Sequence, residues 1–137
     1  SIVFDISYSV DRDVANSVLA ESAVMIDALQ PRDGVVVVWT NHEVHGTDEV
    51  YSGAELLDLE IPCGGGTYMT AGVEWLEHNG LESDLTIVFT DGEMYDDDWA
   101  SLGRRDNLVV VLDSEPVPYI RRMIADSGAD TIVAEAA

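Results

Sequence analysis

Apolar residues fall in short blocks along the chain, and their spacing alternates between two periods. Val35-Val36-Val37-Val38-Trp39, Leu85-Thr86-Ile87-Val88-Phe89 and Leu108 to Leu112 are continuous apolar runs rich in β-branched residues, the pattern of strands covered on both faces. Ser1 to Phe4 and Thr131-Ile132-Val133 are shorter runs of the same kind. Asp11 to Gln30 instead places Ala15, Val18, Leu19, Ser22, Met25, Ile26 and Leu29 at helical spacing, with Asp11, Asp13, Glu21 and Asp27 off that stripe. Pro31 and Gly34 close this helix.

Ala71, Val73, Trp75 and Leu76 predict a shorter helix from Thr70 to about Asn79-Gly80. Asp96-Asp97-Asp98, ahead of Trp99 and Leu102, starts another, because carboxylates suit the positive end of a helix. Pro118 to Ser127 is the last helix. Asn41 to Ser52, polar around Val44, Val50 and Tyr51, reads as a turn and an edge strand, and Leu56 to Pro62 leads into a glycine cluster with no element predicted. The alternation of strand and helix predicts an α/β fold: an open, doubly wound, mainly parallel sheet of Rossmann-like type, helices on both faces, and one antiparallel edge strand.

The length of 137 residues and a 47% hydrophobic content suit a single domain over residues 1–137, with no internal repeat or linker. No run approaches the roughly 18 to 20 apolar residues of a membrane span, and no signal peptide is visible, so a cytoplasmic location is expected. The first strand is short, which suits a piece of a longer protein. Charge narrows the partners. Twenty-seven acidic residues face six basic ones, all arginine, for a formal net charge of −21. Such a surface repels phosphate backbones and anionic membranes, so neither nucleic acid nor membrane is an expected partner. It also points to a halophilic source, since concentrated salt screens self-repulsion. The lone Cys63 excludes an internal disulfide and reads as a small buried residue.

Three short pieces carry the candidate chemistry. Asp5-Ile6-Ser7-Tyr8-Ser9 and Thr90-Asp91-Gly92 each follow a predicted buried strand, and Gly64-Gly65-Gly66-Thr67 lies between them. In an open parallel sheet, ligands bind beyond the carboxyl ends of strands, where Asp5 and Asp91 fall. The spacing of Asp5, Ser7 and Ser9 aims three oxygens one way from a near-extended chain. The glycines let a loop approach closely enough to bring in the Thr67 hydroxyl. Two carboxylates and three hydroxyls are hard donors that suit Mg2+, Mn2+ or Ca2+ and fit zinc or copper poorly. Taken singly, each piece has a plainer role: a turn, a flexible loop, or a cap in which Ser9 or Asp11 starts the first helix. His42 and His45, three apart on a strand, point to opposite faces, and His78 suits the end of a helix.

With these residues in order, the chain resembles a von Willebrand factor A-type domain, whose metal-ion-dependent adhesion site is Asp-x-Ser-x-Ser, a distant Thr and a distant Asp. The resemblance implies Ser7, Ser9 and Thr67 as direct ligands, with Asp5 and Asp91 acting largely through waters and hydrogen bonds. Val37-Val38-Trp39, Val44-His45-Gly46, Gly64 to Thr67 and Val88-Phe89-Thr90-Asp91-Gly92 are similar to the A-like domains that follow metallopeptidase-like domains in bacterial, archaeal and phage proteins. Asn41, where that subfamily tends to have Asp, and Tyr68-Met69, where Asp-Phe often follows, depart from its pattern.

The function this implies is a non-enzymatic, Mg2+-dependent protein-binding module in which a partner Asp or Glu completes the metal shell. An AAA+ ATPase or a metallopeptidase-like domain is the implied kind of partner. The alternatives are a Mg2+-dependent phosphoryl-transfer enzyme with Asp5 as nucleophile, and a metal-free structural domain. The enzyme wants a second carboxylate two residues after Asp5, where Ser7 stands, and a lysine, of which the chain has none.

Overall fold

A run of four residues, β1 (Ile2–Asp5), is buried throughout and forms an interior strand of the sheet. The computed structural model describes residues 1–7, 10, 12–30, 32, 34–60, 64–81 and 85–134. After β1 come α1 (Arg12–Leu29), β2 (Val35–Thr40), β3 (Val44–Val50), α2 (Gly53–Leu57), α3 (Thr70–His78), β4 (Thr86–Thr90), α4 (Asp96–Gly103), β5 (Leu108–Leu112), α5 (Pro118–Ser127) and β6 (Asp130–Val133). The six strands lie in the order β3-β2-β1-β4-β5-β6, all parallel except β3, which pairs antiparallel with β2 at the edge. This is the α/β, doubly wound sheet with one antiparallel edge strand that the periodicity predicts.

Alternation along the strands splits the core in two. Ile2, Phe4, Val37, Trp39 and Phe89 face α1 and α2, packing on Val14, Ala15, Leu19, Ile26 and Leu56. Val3, Val38, Val88, Val110 and Leu112 face α3, α4 and α5, packing on Val73, Leu76, Trp99, Leu102 and Ile120. Phe4 sits in register with Trp39 on one side and Phe89 on the other, its ring centroid 5.3 Å and 4.8 Å from theirs. Three interlocked rings therefore fix the strand ends one residue before Asp5.

Two differences from the sequence reading have physical causes. The short helix α2 carries little periodic signal, and its start is fixed by capping: the Ser52 hydroxyl accepts the Glu55 N–H, and the Asp27 carboxylate of α1 accepts the Gly53 N–H. The apolar stripe of α1 is only partly buried. Ala15, Leu19 and Ile26 are covered, whereas Met25 and Leu29 are 51% and 73% exposed, because α1 lies over β1 and β2 and its outer side overhangs the apolar face of β4 and β5. No helix among the described residues is long and apolar enough to cross a membrane.

Candidate functional site

The carboxyl ends of β1 and β4 lie side by side, and the chain leaves them toward opposite edges of the sheet, to β2 and to β5. A crevice opens at such a reversal. Asp5, at the end of β1, is 1% exposed. One of its oxygens accepts the Ser7 backbone N–H at 2.8 Å, and the other accepts the Thr90 hydroxyl at 2.6 Å. That hydroxyl also accepts the Gly92 N–H at 3.1 Å, across a turn in which Gly92 has φ of 85°.

Burial raises the Asp5 carboxyl from an ordinary 3.8 to about 6, and the negative charge of Asp91 pushes the same way, while the hydrogen bonds from Thr90 and Ser7 oppose both. Asp91 is half-buried, and its Oδ1 accepts the Glu93 N–H at 3.0 Å. Two carboxylates thus stand at neighbouring strand ends, and the buried one, Asp5, is the desolvated one.

The glycine loop is tied to this point by backbone and by Asn41. The Gly64 N–H donates to the Ile6 carbonyl at 2.9 Å, directly after Asp5. Asn41 donates from Nδ2 to the Gly64 carbonyl at 3.1 Å, accepts the Glu43 N–H on Oδ1, and its own carbonyl accepts the Tyr68 N–H at 2.7 Å. Gly65 has φ of 88°, and a Cβ there would stand 2.7 Å from Asn41 Nδ2, so conformation and space both require glycine. Behind the loop, Asp98 of α4, 1% exposed, accepts the Met69 and Thr70 N–H groups at 2.8 and 2.9 Å and the Thr70 hydroxyl. This carboxylate from another helix satisfies the start of α3, where Met69 offers no side-chain cap.

Of the five candidate ligands, Asp5 is joined to Ser7 directly and to Asp91 through charge, and Ser7 and Thr67 line one open cavity of about 940 Å³. Ser9 lies outside the described residues, as do Cys63 and Asp11. Among the described residues no group of three or more His, Cys, Asp or Glu is gathered as a metal cage. The described candidates Asp5, Ser7, Thr67 and Asp91 offer carboxylate and hydroxyl oxygens, donor chemistry of the kind that suits a hard divalent cation. His42 and His45 are exposed, His42 standing 3.6 Å from Glu43, and His78 occupies the last turn of α3.

Thr90, Asn41 and Asp98 were not among the candidates. Thr90 had a signal: Phe4-Asp5 and Phe89-Thr90 both place an oxygen side chain directly after a strand aromatic, and the strands pair Phe4 with Phe89. Asn41 stands where the resembled subfamily tends to have Asp, and here both halves of the amide are used, one donating and one accepting. Asp98 is hidden within an acidic run whose other members are exposed.

The family profile matching residues 1–123 is described as a VWA-like domain (DUF2201). Among solved structures, the chain is similar to the ArnB paralog VWA2 from Sulfolobus acidocaldarius, with a TM-score of 0.58 and 20% identity over 96% of this chain. It spans 40% of the length of that protein, and the likeness is one of fold. No curated protein matches the chain.

Proposed function

The chain belongs to the VWA-like domain family, and from that premise we propose that it is a Mg2+-dependent protein-binding module without catalytic activity. Ser7, Ser9 and Thr67 would hold the cation directly, with Asp5 and Asp91 orienting and acting through water. Mg2+ (or Mn2+ or Ca2+) held by these residues would supply Lewis acidity toward a carboxylate oxygen of a partner protein. The observation that carries this reading is the buried Asp5, both of whose oxygens are occupied by the Ser7 N–H and the Thr90 hydroxyl, while Ser7 and Thr67 border one open cavity.

That arrangement favours adhesion over phosphoryl transfer. Asp5 is buried and oriented by one donor on each oxygen, which suits a carboxylate that positions other groups. The position two residues on is a serine, which supplies no carboxylate to act as acid or base. The implied partner, an AAA+ ATPase or a metallopeptidase-like domain, would present an Asp or Glu on an accessible loop.

Calorimetric titration with Mg2+ and Mn2+ tests the reading. Wild type is expected to bind one ion at sub-millimolar affinity and Asp5→Ala to lose it. A wild type that binds neither ion more tightly than Asp5→Ala sinks the proposal, and turnover of a phosphate ester that vanishes in Asp5→Asn would install the enzyme in its place.

A further inference from the structure

The cavity that begins at Ser7 and Thr67 does not end there. It runs on between the start of α4 and the first turn of α5, floored by Met94 and Met123. Its flanks carry two tyrosines, Tyr95 and Tyr119, 83% and 60% exposed. Beside these rings stand Glu93, Asp96 and Asp97, all exposed, and among the described residues none of them is in an ion pair with an arginine.

We infer that this cavity seats a loop of a partner protein carrying an arginine close to the acidic residue that reaches the metal. The inference rests on the metal-dependent reading and adds the chemistry of the partner to it. Asp96 and Asp97 alone would be explained by the dipole of α4. The continuous cavity and the two exposed rings beside them call for more than helix capping. Its volume of about 940 Å³ exceeds what a single carboxylate side chain fills.

Charge complementarity selects the occupant. A partner that brings an acid to a surface of net charge −21 meets repulsion unless the same loop brings positive charge. Arginine fits better than lysine, because a planar guanidinium lies flat on a tyrosine face while its fork of donors meets a carboxylate. A second copy of this chain is a poor occupant, since it carries the same charge.

A displayed peptide library with a fixed central Asp and randomised flanks, panned against the protein in Mg2+ and in EDTA, tests this. Arginine is expected to be enriched within a few residues of the fixed Asp in Mg2+. In the selected peptide, replacing that arginine with neutral citrulline should weaken binding about tenfold on wild type and hardly at all on the Asp96→Asn/Asp97→Asn variant. Tyr95→Ala/Tyr119→Ala should weaken the peptide and leave affinity for Mg2+ alone unchanged. Neutral or acidic flanks among the selected peptides, an equal citrulline effect on both proteins, or no selection although Mg2+ binds, each overturns the proposal. Arginine enrichment that persists equally in EDTA and with Asp replaced by Asn keeps the arginine seat and overturns the metal reading instead.

Discussion

Thr90 donates its hydroxyl to Asp5 at 2.6 Å, joining the ends of two adjacent parallel strands through the carboxylate at the centre of the candidate site. The same hydroxyl accepts the Gly92 N–H, so it sets the turn that carries Asp91 as well. Thr90→Val keeps the shape and removes both bonds. It should cost about 1–3 kcal/mol of stability in urea unfolding. It should also weaken Mg2+ binding, because Asp5 and Asp91 lose their shared anchor. Unchanged values for both would show that the strand ends are held by the aromatic layer beneath them.

Acidity should act on the metal-free protein with a defined sign. Asp5 titrates near 6 when folded and near 3.8 without the fold. The folded chain therefore holds that proton more tightly, and its contribution favours folding fully below about pH 3.8 and is lost as pH rises through 6. The loss is on the order of 3 kcal/mol above pH 6. Asp5→Asn should lack this part of the pH dependence, and Mg2+ should bind more weakly below pH 6, where it competes with the proton. Parallel stability curves for wild type and Asp5→Asn between pH 4 and 7 would contradict it.

Two glycines make a matched comparison. Gly65 has φ of 88° and a Cβ there would press on Asn41, whereas a Cβ on Gly46 of β3 meets nothing within 4 Å. Gly65→Ala should lose about 1–3 kcal/mol of stability and reduce metal affinity. Gly46→Ala should be close to neutral in both, as measured by thermal unfolding and calorimetry.

Asp98 should behave as a structural anchor reaching from α4 to the loop after Thr67. Asp98→Ala leaves three donors at Met69 and Thr70 without their acceptor and should destabilise by about 2–4 kcal/mol. Thr70→Val removes one of the three and should cost less than half as much. Amide exchange at Met69 and Thr70 should quicken in Asp98→Ala ahead of global unfolding.

Salt should stabilise the chain. With a net charge of −21 the thermal midpoint is expected to rise between dilute buffer and molar KCl, where the screening length falls to roughly 3 Å. A midpoint that stays flat or falls would contradict a halophilic adaptation. The Glu77–Arg105 pair, at 2.9 Å, resists this test little, since it is partly buried between α3 and the segment after α4.

Much of this was legible in the chain because strands buried on both faces must be continuously apolar, and Val35 to Trp39, Leu85 to Phe89 and Leu108 to Leu112 could be little else. The position of Asp5 and Asp91 followed, since Asp5 comes directly after the short run Ser1 to Phe4 and Asp91 two residues after Phe89. What stayed hidden depends on contacts between distant segments. Nothing near Asp98 announces that its carboxylate serves a helix start 28 positions earlier. Nothing near Asp27 announces that it caps Gly53 and so starts α2. The overhang of Met25 and Leu29 was equally invisible, because helical spacing tells which side is apolar and not how much of the sheet lies under it.

The hydrogen bond between Asp5 and Thr90 spans 85 positions of sequence. A contact of that range closes only after β1 and β4 have paired in register, so a partly folded chain has no such cradle. An ion that binds only the finished fold would raise global stability by an amount that grows with its concentration, about 2.7 kcal/mol at a hundred times the dissociation constant. Mg2+ concentration would then set what fraction of the chain is folded as well as whether it can hold a partner, tying the protein's abundance and its complex to one ion.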